Sequence, residues 1–288
     1  MISRRHVLKS SLGIIALNYI NIFNAFGSNS NSNRFQIGAC DWSIGQHSNI
    51  EAMSVAKKIG LDGVQVSLGT VKNNMHLREI EIQKMYQEAC KKNNVSIAGI
   101  AIGELNSVPY KSDPRTDKWV SDSIDVAHAL GCKVVLLAFF GKGDLKGDPE
   151  GTKNVIKKLK KVAPKAEEKG IILGIESWLN AEEHMHIINA VGSPNVKVYY
   201  DVANSNKMGY NIYEEIRWLG HKNICEFHAK ENGFLLGEGK VDFKEVRKAM
   251  DDINFNGWVM IEGAVPKNAS MFESYLKNNT YLRGVLKS

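Results

Sequence analysis

Of the 288 residues only four are cysteine (Cys40, Cys90, Cys132 and Cys225), and no two stand at zinc-site or redox-pair spacing. That excludes a zinc finger and a C-x-x-C redox centre. Three of the four fall in apolar, strand-like runs, where a buried thiol is the default. Beyond the first thirty residues no apolar run is long enough to cross a membrane. No phosphate-binding glycine fingerprint follows the first strand pattern, and "GKGDLKG" (141–147) lacks the Walker spacing, so it reads as a loop. A strong charge of one sign is missing too. Residues 1–33 hold three basic and no acidic side chains, which leaves 34 basic against 31 acidic in the remainder, a balance too mild for a nucleic-acid or membrane surface. The densest basic run, "KKLKK" (157–161), fits the wet face of a helix.

What is present begins with a leader. "SRRHVLKSS" (3–11) sets Arg4 and Arg5 before an apolar stretch from Leu12 to Phe26, and resembles a twin-arginine signal. Ala25 and Gly27 are small enough for a cleavage site, and no cysteine follows that would carry a lipid anchor. An uncleaved amphipathic anchor is the alternative. "SNSNSN" (28–33) is a polar spacer. The expected organisation is an export signal over 1–27, a polar linker over 28–34 and one domain over 35–288, placed in the periplasm without stable membrane insertion after export. A twin-arginine route carries folded proteins, which suits an enzyme loaded with its metal in the cytoplasm.

From Phe35 onward short β-branched runs alternate with stretches of helical periodicity. The spacing predicts strands over 35–40, 63–68, 95–102, 133–140, 170–176, 196–201, 223–228 and 257–262. Helices are predicted near 50–59, 78–92, 115–130, 151–169, 181–190, 211–219, 242–252 and 269–284. Gly60, Gly131 and Gly170 stand where helices should stop. In the first helix Ile50, Met53, Val55, Ala56 and Ile59 gather near one face. Asp242 with Glu245 outlines a capping box. The strands are nearly continuous in apolar residues, as when both faces are covered. Eight such units without a composition break predict an α/β fold, a single-domain (β/α)8 TIM barrel. A doubly wound open sheet is the alternative.

Four of the strands end on side chains of one chemical kind. Strand five ends on Glu176, strand six on Asp201, strand seven on His228 and strand eight on Glu262, at steps of 25, 27 and 34 residues. In a barrel these come from adjacent strands at the end where barrel enzymes keep their sites. Three carboxylates in a partly dry mouth repel one another unless a cation compensates them. Three oxygen ligands and one imidazole suit Mn²⁺, Mg²⁺ or Co²⁺, with Zn²⁺ also open. Singly, each residue has a plainer role. Asp201 reads as a helix cap, His228 as a hydrogen-bonded core residue, and Glu262 as a solvated carboxylate.

These residues carry a resemblance. "GIES" (174–177), "YYDVANS" (199–205), "EFHAKE" (226–231), "LGEGKVDF" (236–243) and "IEG" (261–263) resemble the sugar isomerase/epimerase superfamily of xylose isomerase-like barrels, near its ketose 3-epimerases and hydroxypyruvate isomerases. The resemblance implies a divalent cation on Glu176, Asp201, His228 and Glu262, with Glu176 and Glu262 as the acid/base pair. It implies proton abstraction beside a carbonyl, through an enediolate, on a small sugar or sugar derivative. Two departures stand out. The family's Asp-x-x-His motif reads Asp201-Val202-Ala203-Asn204 here. Asn204 can bond a sugar hydroxyl but cannot carry a proton. The family's arginine after strand seven is not evident, and Lys230 is the nearest replacement for its charge. Substrate handling thus departs from that of a simple ketose 3-epimerase.

Other candidates for the mouth are Trp178, to stack on a sugar face or pack as a lid, and Lys142, after strand four. Glu104 and His76 are weaker. His184 and His186, two apart on a helix, face different ways and do not form a metal pair. Three further readings remain: a lyase or dehydratase on a keto-sugar or keto-glycoside, a non-catalytic carbohydrate-binding barrel, and a three-zinc DNA-repair relative. The last lacks its strand-end histidines and needs a nucleic-acid partner that the charge does not support. The number of copies in the assembly is left open, a homo-oligomer included. Replacing Arg4 and Arg5 with lysine is expected to hold precursor inside the cell. Cell fractionation measures this, and normal export of the double variant would reject the twin-arginine assignment.

Overall fold

The computed structural model describes residues 34–287, so the expected export signal and all of the linker but Arg34 lie outside the described residues. Eight parallel strands form a closed barrel in chain order, the eighth pairing back to the first. They are β1 (Phe35–Cys40), β2 (Gly63–Ser67), β3 (Ser96–Ile102), β4 (Val134–Phe139), β5 (Ile172–Ser177), β6 (Val196–Asp201), β7 (Ile224–Glu231) and β8 (Gly257–Gly263). Helices lie outside it: α1 (Ala52–Ile59), α2 (Ile80–Asn93), α3 (Arg115–Leu130), α4 (Pro149–Lys169), α5 (Ala181–Val191), α6 (Val202–Lys207), α7 (Ile212–Asn223), α8 (Phe243–Asp252) and α9 (Met271–Lys287).

The continuous apolar strands follow from two cores back to back. Successive side chains point to opposite faces. Val64, Val135, Ile175, Val198 and Phe227 face outward into the layer shared with the helices. Cys40, Leu136, Tyr199 and Met260 face inward and fill the barrel. The interior has little room, so bulky side chains sit opposite glycines. A methyl group on Gly63 would lie 2.5 Å from the Trp258 ring, and one on Gly38 would lie 2.5 Å from Met260.

Helix ends follow local chemistry. Gly60 closes α1 in the left-handed region at φ 83°, its N–H on the carbonyls of Ala56 and Lys57, and Gly131 and Gly170 close α3 and α4 likewise. On α1 Met53, Ala56 and Ile59 are buried and Val55 partly so, while Ile50, just before the helix, packs beside them partly buried. The predicted capping box at α8 is only half made. Asp242 accepts from the Lys244 and Glu245 N–H groups, but its own N–H donates to the Tyr213 hydroxyl while Glu245 pairs with Lys248. The complete box opens α5, where Asn180 and Glu183 bond each other reciprocally. Periodicity did not reveal α6 or the single 3₁₀ turns at His76–Arg78, Gly103–Asn106 and Gly141–Gly143, which are too short to show a repeat. The helix predicted over 211–219 runs on to Asn223 across a kink at Gly220. All four cysteines are free thiols.

Gly63→Ala is expected to cost about 1–3 kcal/mol of unfolding free energy through overpacking against Trp258. Chemical denaturation measures it, and an unchanged midpoint would show that the interior has slack the structure does not display.

Candidate functional site

Alternation along the last strands brings the site together. On β7 Phe227 and Ala229 join the outer apolar layer, so Glu226, His228 and Lys230 point into the barrel. Register pairs Asp201 with His228 across β6 and β7, and Lys230 with Glu262 across β7 and β8. Each of Glu176, Asp201, His228 and Glu262 offers a ligand atom, and these atoms all lie within 4.8 Å of one another. His228 Nδ1 is 3.1 Å from Glu176 Oε1, 3.5 Å from Glu262 Oε2 and 3.8 Å from Asp201 Oδ2. Glu176, Asp201 and His228 are buried; Glu262 is half-buried at the opening.

Asp201 caps the next helix, as its position suggested, with one oxygen only. Its Oδ1 accepts the N–H groups of Ala203 and Asn204 at 2.9 and 2.8 Å and caps α6. Its Oδ2 turns into the cluster, fully buried and without a hydrogen-bond partner. The Lys230 ammonium lies 3.3 Å from that oxygen, an ion-pair contact without hydrogen-bond geometry, and bonds Glu262 Oε2 at 2.7 Å. Trp42 Nε1 donates to the other oxygen of Glu262 at 2.9 Å.

The charges show the strain of this crowding. Burial raises the Glu176 carboxyl to about 7; Glu262 and Asp201 push the same way, and His228 pulls against them. For Asp201 burial acts upward but loses to the Lys230 ammonium, His228 and the Asn204 N–H, which hold it down at about 2. Burial acts to lower the imidazole of His228, yet Cys40 and the carboxylates of Glu176 and Glu262 raise it overall. Lys230 is raised as well. Burial opposes this, but Asp201 and Glu262 outweigh it. The residues present fit a divalent cation. The donors are three carboxylates and an imidazole nitrogen, one oxygen is orphaned, and the proton held among these groups is what a cation would replace.

Above the cluster opens a cavity of about 530 Å³. Glu176, Glu262, Asn204 and Lys230 form its polar floor, with Trp178 on one wall. Asn204 Nδ2 donates to Glu176 Oε1 at 3.4 Å. The Trp178 ring is braced by the edge of Phe140 at 4.9 Å, and the Lys207 ammonium sits 5.2 Å over its face. Leu136, Ala138 and Phe140 continue this apolar side, and Glu104, Asn106, Ser107 and His47 also line the cavity, Asn106 accepting from the Phe140 N–H at 2.9 Å.

Lys142 is a correction to the sequence reading. It sits exposed on the Gly141–Gly143 turn and is not part of the cavity lining, because the turn closes β4 with Gly143 buried and carries the side chain outward. His76 is not part of that lining either; it packs edge-on against Tyr86. His186 is exposed, and His184 is buried with Nδ1–H on the Asn180 carbonyl at 2.9 Å and Nε2 on the Ser177 hydroxyl at 3.0 Å. His184 thereby steadies the turn that leaves β5 between Glu176 and Trp178. Trp42, Gln65 and His47 were missed. Gln65 did leave a signal, a polar residue inside an apolar strand run.

A family model for xylose isomerase-like TIM barrels matches residues 53–279. This chain belongs to that family. It falls within the sugar isomerase/epimerase superfamily, as the strand-end residues implied. A D-psicose 3-epimerase of Enterocloster bolteae is 26% identical over 140 residues, 44% of this xylose isomerase-like chain and 45% of that protein. An uncharacterised protein of Methanocaldococcus jannaschii is 25% identical over 135 residues, 41% of this chain and 46% of that one. The chain thus matches about half the length of these curated relatives. Among solved structures, a D-psicose 3-epimerase with D-tagatose from Clostridium cellulolyticum has a TM-score of 0.74 at 17% identity, covering 87% of this chain and 99% of that one. A 3-keto-D-glucoside 4-epimerase from E. coli has 0.72 at 15% identity, with 87% and 99% covered. At such identities what is shared is the fold.

His184 gives the xylose isomerase-like barrel a pH-dependent stability. Burial lowers its imidazole to about 4, against the partial help of the Asn180 carbonyl. Between an unfolded value near 6.5 and that folded value, only the unfolded chain takes up the proton, so stability falls as pH falls through this window. The wild type is expected to lose about 3 kcal/mol more than His184→Gln between pH 7 and pH 4. Urea unfolding across pH measures this, and equal slopes for the two proteins would contradict it.

Proposed function

We propose that this protein is a divalent-cation-dependent sugar isomerase or epimerase that moves a proton at the carbon beside a carbonyl and acts after export to the periplasm. The observation that carries the reading is the convergence of ligand atoms from Glu176, Asp201, His228 and Glu262 within 4.8 Å, with Glu176 and Glu262 opening onto one cavity. The curated D-psicose 3-epimerase relative supports it for the substrate class. A cation bound there, Mn²⁺, Mg²⁺ or Co²⁺ by donor type and Zn²⁺ after them, would polarise the carbonyl, acidify the adjacent C–H and stabilise the enediolate.

The chain's own residues do the rest. Glu176 and Glu262 both reach the cavity and serve as the proton-transfer pair, one removing the proton and the other returning it. Trp42 and Lys230 each hold one oxygen of Glu262, which fixes the direction from which it attacks. Lys230 also keeps a positive charge at the floor, where the departing proton leaves negative charge on the substrate. Asn204 is placed to bond a hydroxyl, and Trp178, already braced by Phe140, offers a flat face for a sugar ring.

The apolar side of the cavity favours a second reading. Leu136, Ala138, Phe140 and Trp178 offer space for a stacked group beyond one sugar ring. With a leaving group on the next carbon, removal of the C–H proton forms a C=C bond and breaks the C–O bond. The leaving oxygen then takes a proton from the second carboxyl group. This is a lyase on a keto-glycoside.

Exhaustive chelation is expected to abolish turnover, and Mn²⁺, Mg²⁺ or Co²⁺ to restore it. Glu262→Gln should lower kcat by about 10²–10⁴-fold. A screen of ketoses and keto-glycosides in deuterated water, read by mass spectrometry, separates an isomeric sugar from a released aglycone. Full activity after chelation would end both readings.

A further inference from the structure

The fourth ligand is an imidazole, and an imidazole is a ligand only through the nitrogen that carries no proton. Nδ1 of His228 faces the cluster, while Nε2 points the other way, 3.1 Å from Gln65 Oε1. Gln65 stands in the middle of β2, wholly buried, in a strand with no exposed residue. Its amide can face His228 with either end, and only one end is compatible with a cation at Nδ1. If the amide nitrogen faced Nε2, the ring would have to accept there and carry its proton on Nδ1.

The neighbours of Gln65 decide which end it turns. Its Nε2 donates to the Tyr199 hydroxyl at 3.0 Å. Its Oε1 also accepts from the Cys40 thiol at 3.3 Å, and the Cys40 sulfur lies 3.4 Å from His228 Nε2 beside it. The Tyr199 ring packs against the imidazole with centroids 4.5 Å apart and holds its plane. Both contacts of Gln65 therefore agree in direction: the amide oxygen faces His228 and receives its Nε2–H.

We infer that Gln65, set by Tyr199 and Cys40, is a positioning residue that fixes the tautomer of His228 so that Nδ1 presents its lone pair to the cation. This rests on the metal-dependent reading of the site. Gln65 touches neither the cavity nor the substrate and acts only through His228. Partners of this kind alter metal affinity by about 10–100-fold when removed.

Three variants test it: Gln65→Leu, which keeps the volume and loses the acceptor; Gln65→Glu, which keeps and strengthens it; and Tyr199→Phe, which removes the hydroxyl that orients the amide. Each is purified, confirmed folded by its thermal melt, and titrated with Mn²⁺ in a calorimeter. The expected order is wild type and Gln65→Glu within about threefold, Tyr199→Phe weaker, and Gln65→Leu weaker by about 10–100-fold. A merely space-filling role predicts the reverse order for the two Gln65 variants, since a new buried carboxylate disrupts more than a leucine. In the Zn²⁺-loaded wild type, nitrogen NMR of His228 should show the proton on Nε2. Equal affinity of Gln65→Leu and wild type, or a proton on Nδ1, overturns the inference. A wild type that binds no divalent cation at all overturns the metal reading beneath it, and the two failures are told apart by that control.

Discussion

Three carboxylates held together at the dry end of a barrel are the constraint on which the rest of this protein turns. Glu176, Asp201 and Glu262 share a largely buried space where water screens them little, and each is answered by something specific. Asp201 divides its oxygens, giving one to a helix N-terminus and one to the cluster. Glu262 is gripped on both oxygens by Trp42 and Lys230. Glu176 leans toward the protonated form and accepts from Asn204. Such an arrangement is costly as a stability device, because desolvated charges rarely repay their burial. It makes sense as a site that trades a shared proton and an ammonium contact for a divalent cation.

Such a cluster demands a stiff support, and the barrel interior supplies it. Trp258 and Met260 press against Gly63 and Gly38, and the Tyr199 ring lies on the imidazole of His228. Rim elements then decide what enters. Trp178 is braced by Phe140 and by His184 beneath its turn, so the stacking face exists before any ligand arrives. Lys230 brings a point charge to the edge of the cluster. Its ammonium contacts both Asp201 and Glu262, which on the proposed reading couples metal binding to substrate handling.

Much of this was legible beforehand. The strand pattern could be read because residues buried on both faces leave long apolar runs, and four expected strand ends fell on ligand-type residues one unit apart, although β5, β7 and β8 run one to three residues further. β1 and β6 came out with the bounds expected for them. Short elements escaped, since α6 and the 3₁₀ turns complete too few turns to show a period. Lys142 failed for a related reason: the direction of a loop side chain depends on the turn beneath it. Trp42 and Gln65 were passed over because their importance lies in contacts with residues 220 and 163 positions away, which no local pattern encodes.

By itself, the order of residues determined the eight-unit barrel, the four ligand-type side chains and the strands that bear them, because periodicity and strand ends are local properties of a chain. Only the tertiary structure decided the rest. It set which oxygen of Asp201 is free, which nitrogen of His228 faces the cluster, and that Lys230 enters the site while Lys142 leaves it. Those outcomes depend on distances between distant strands. They are settled when the sheet closes and brings β8 back against β1.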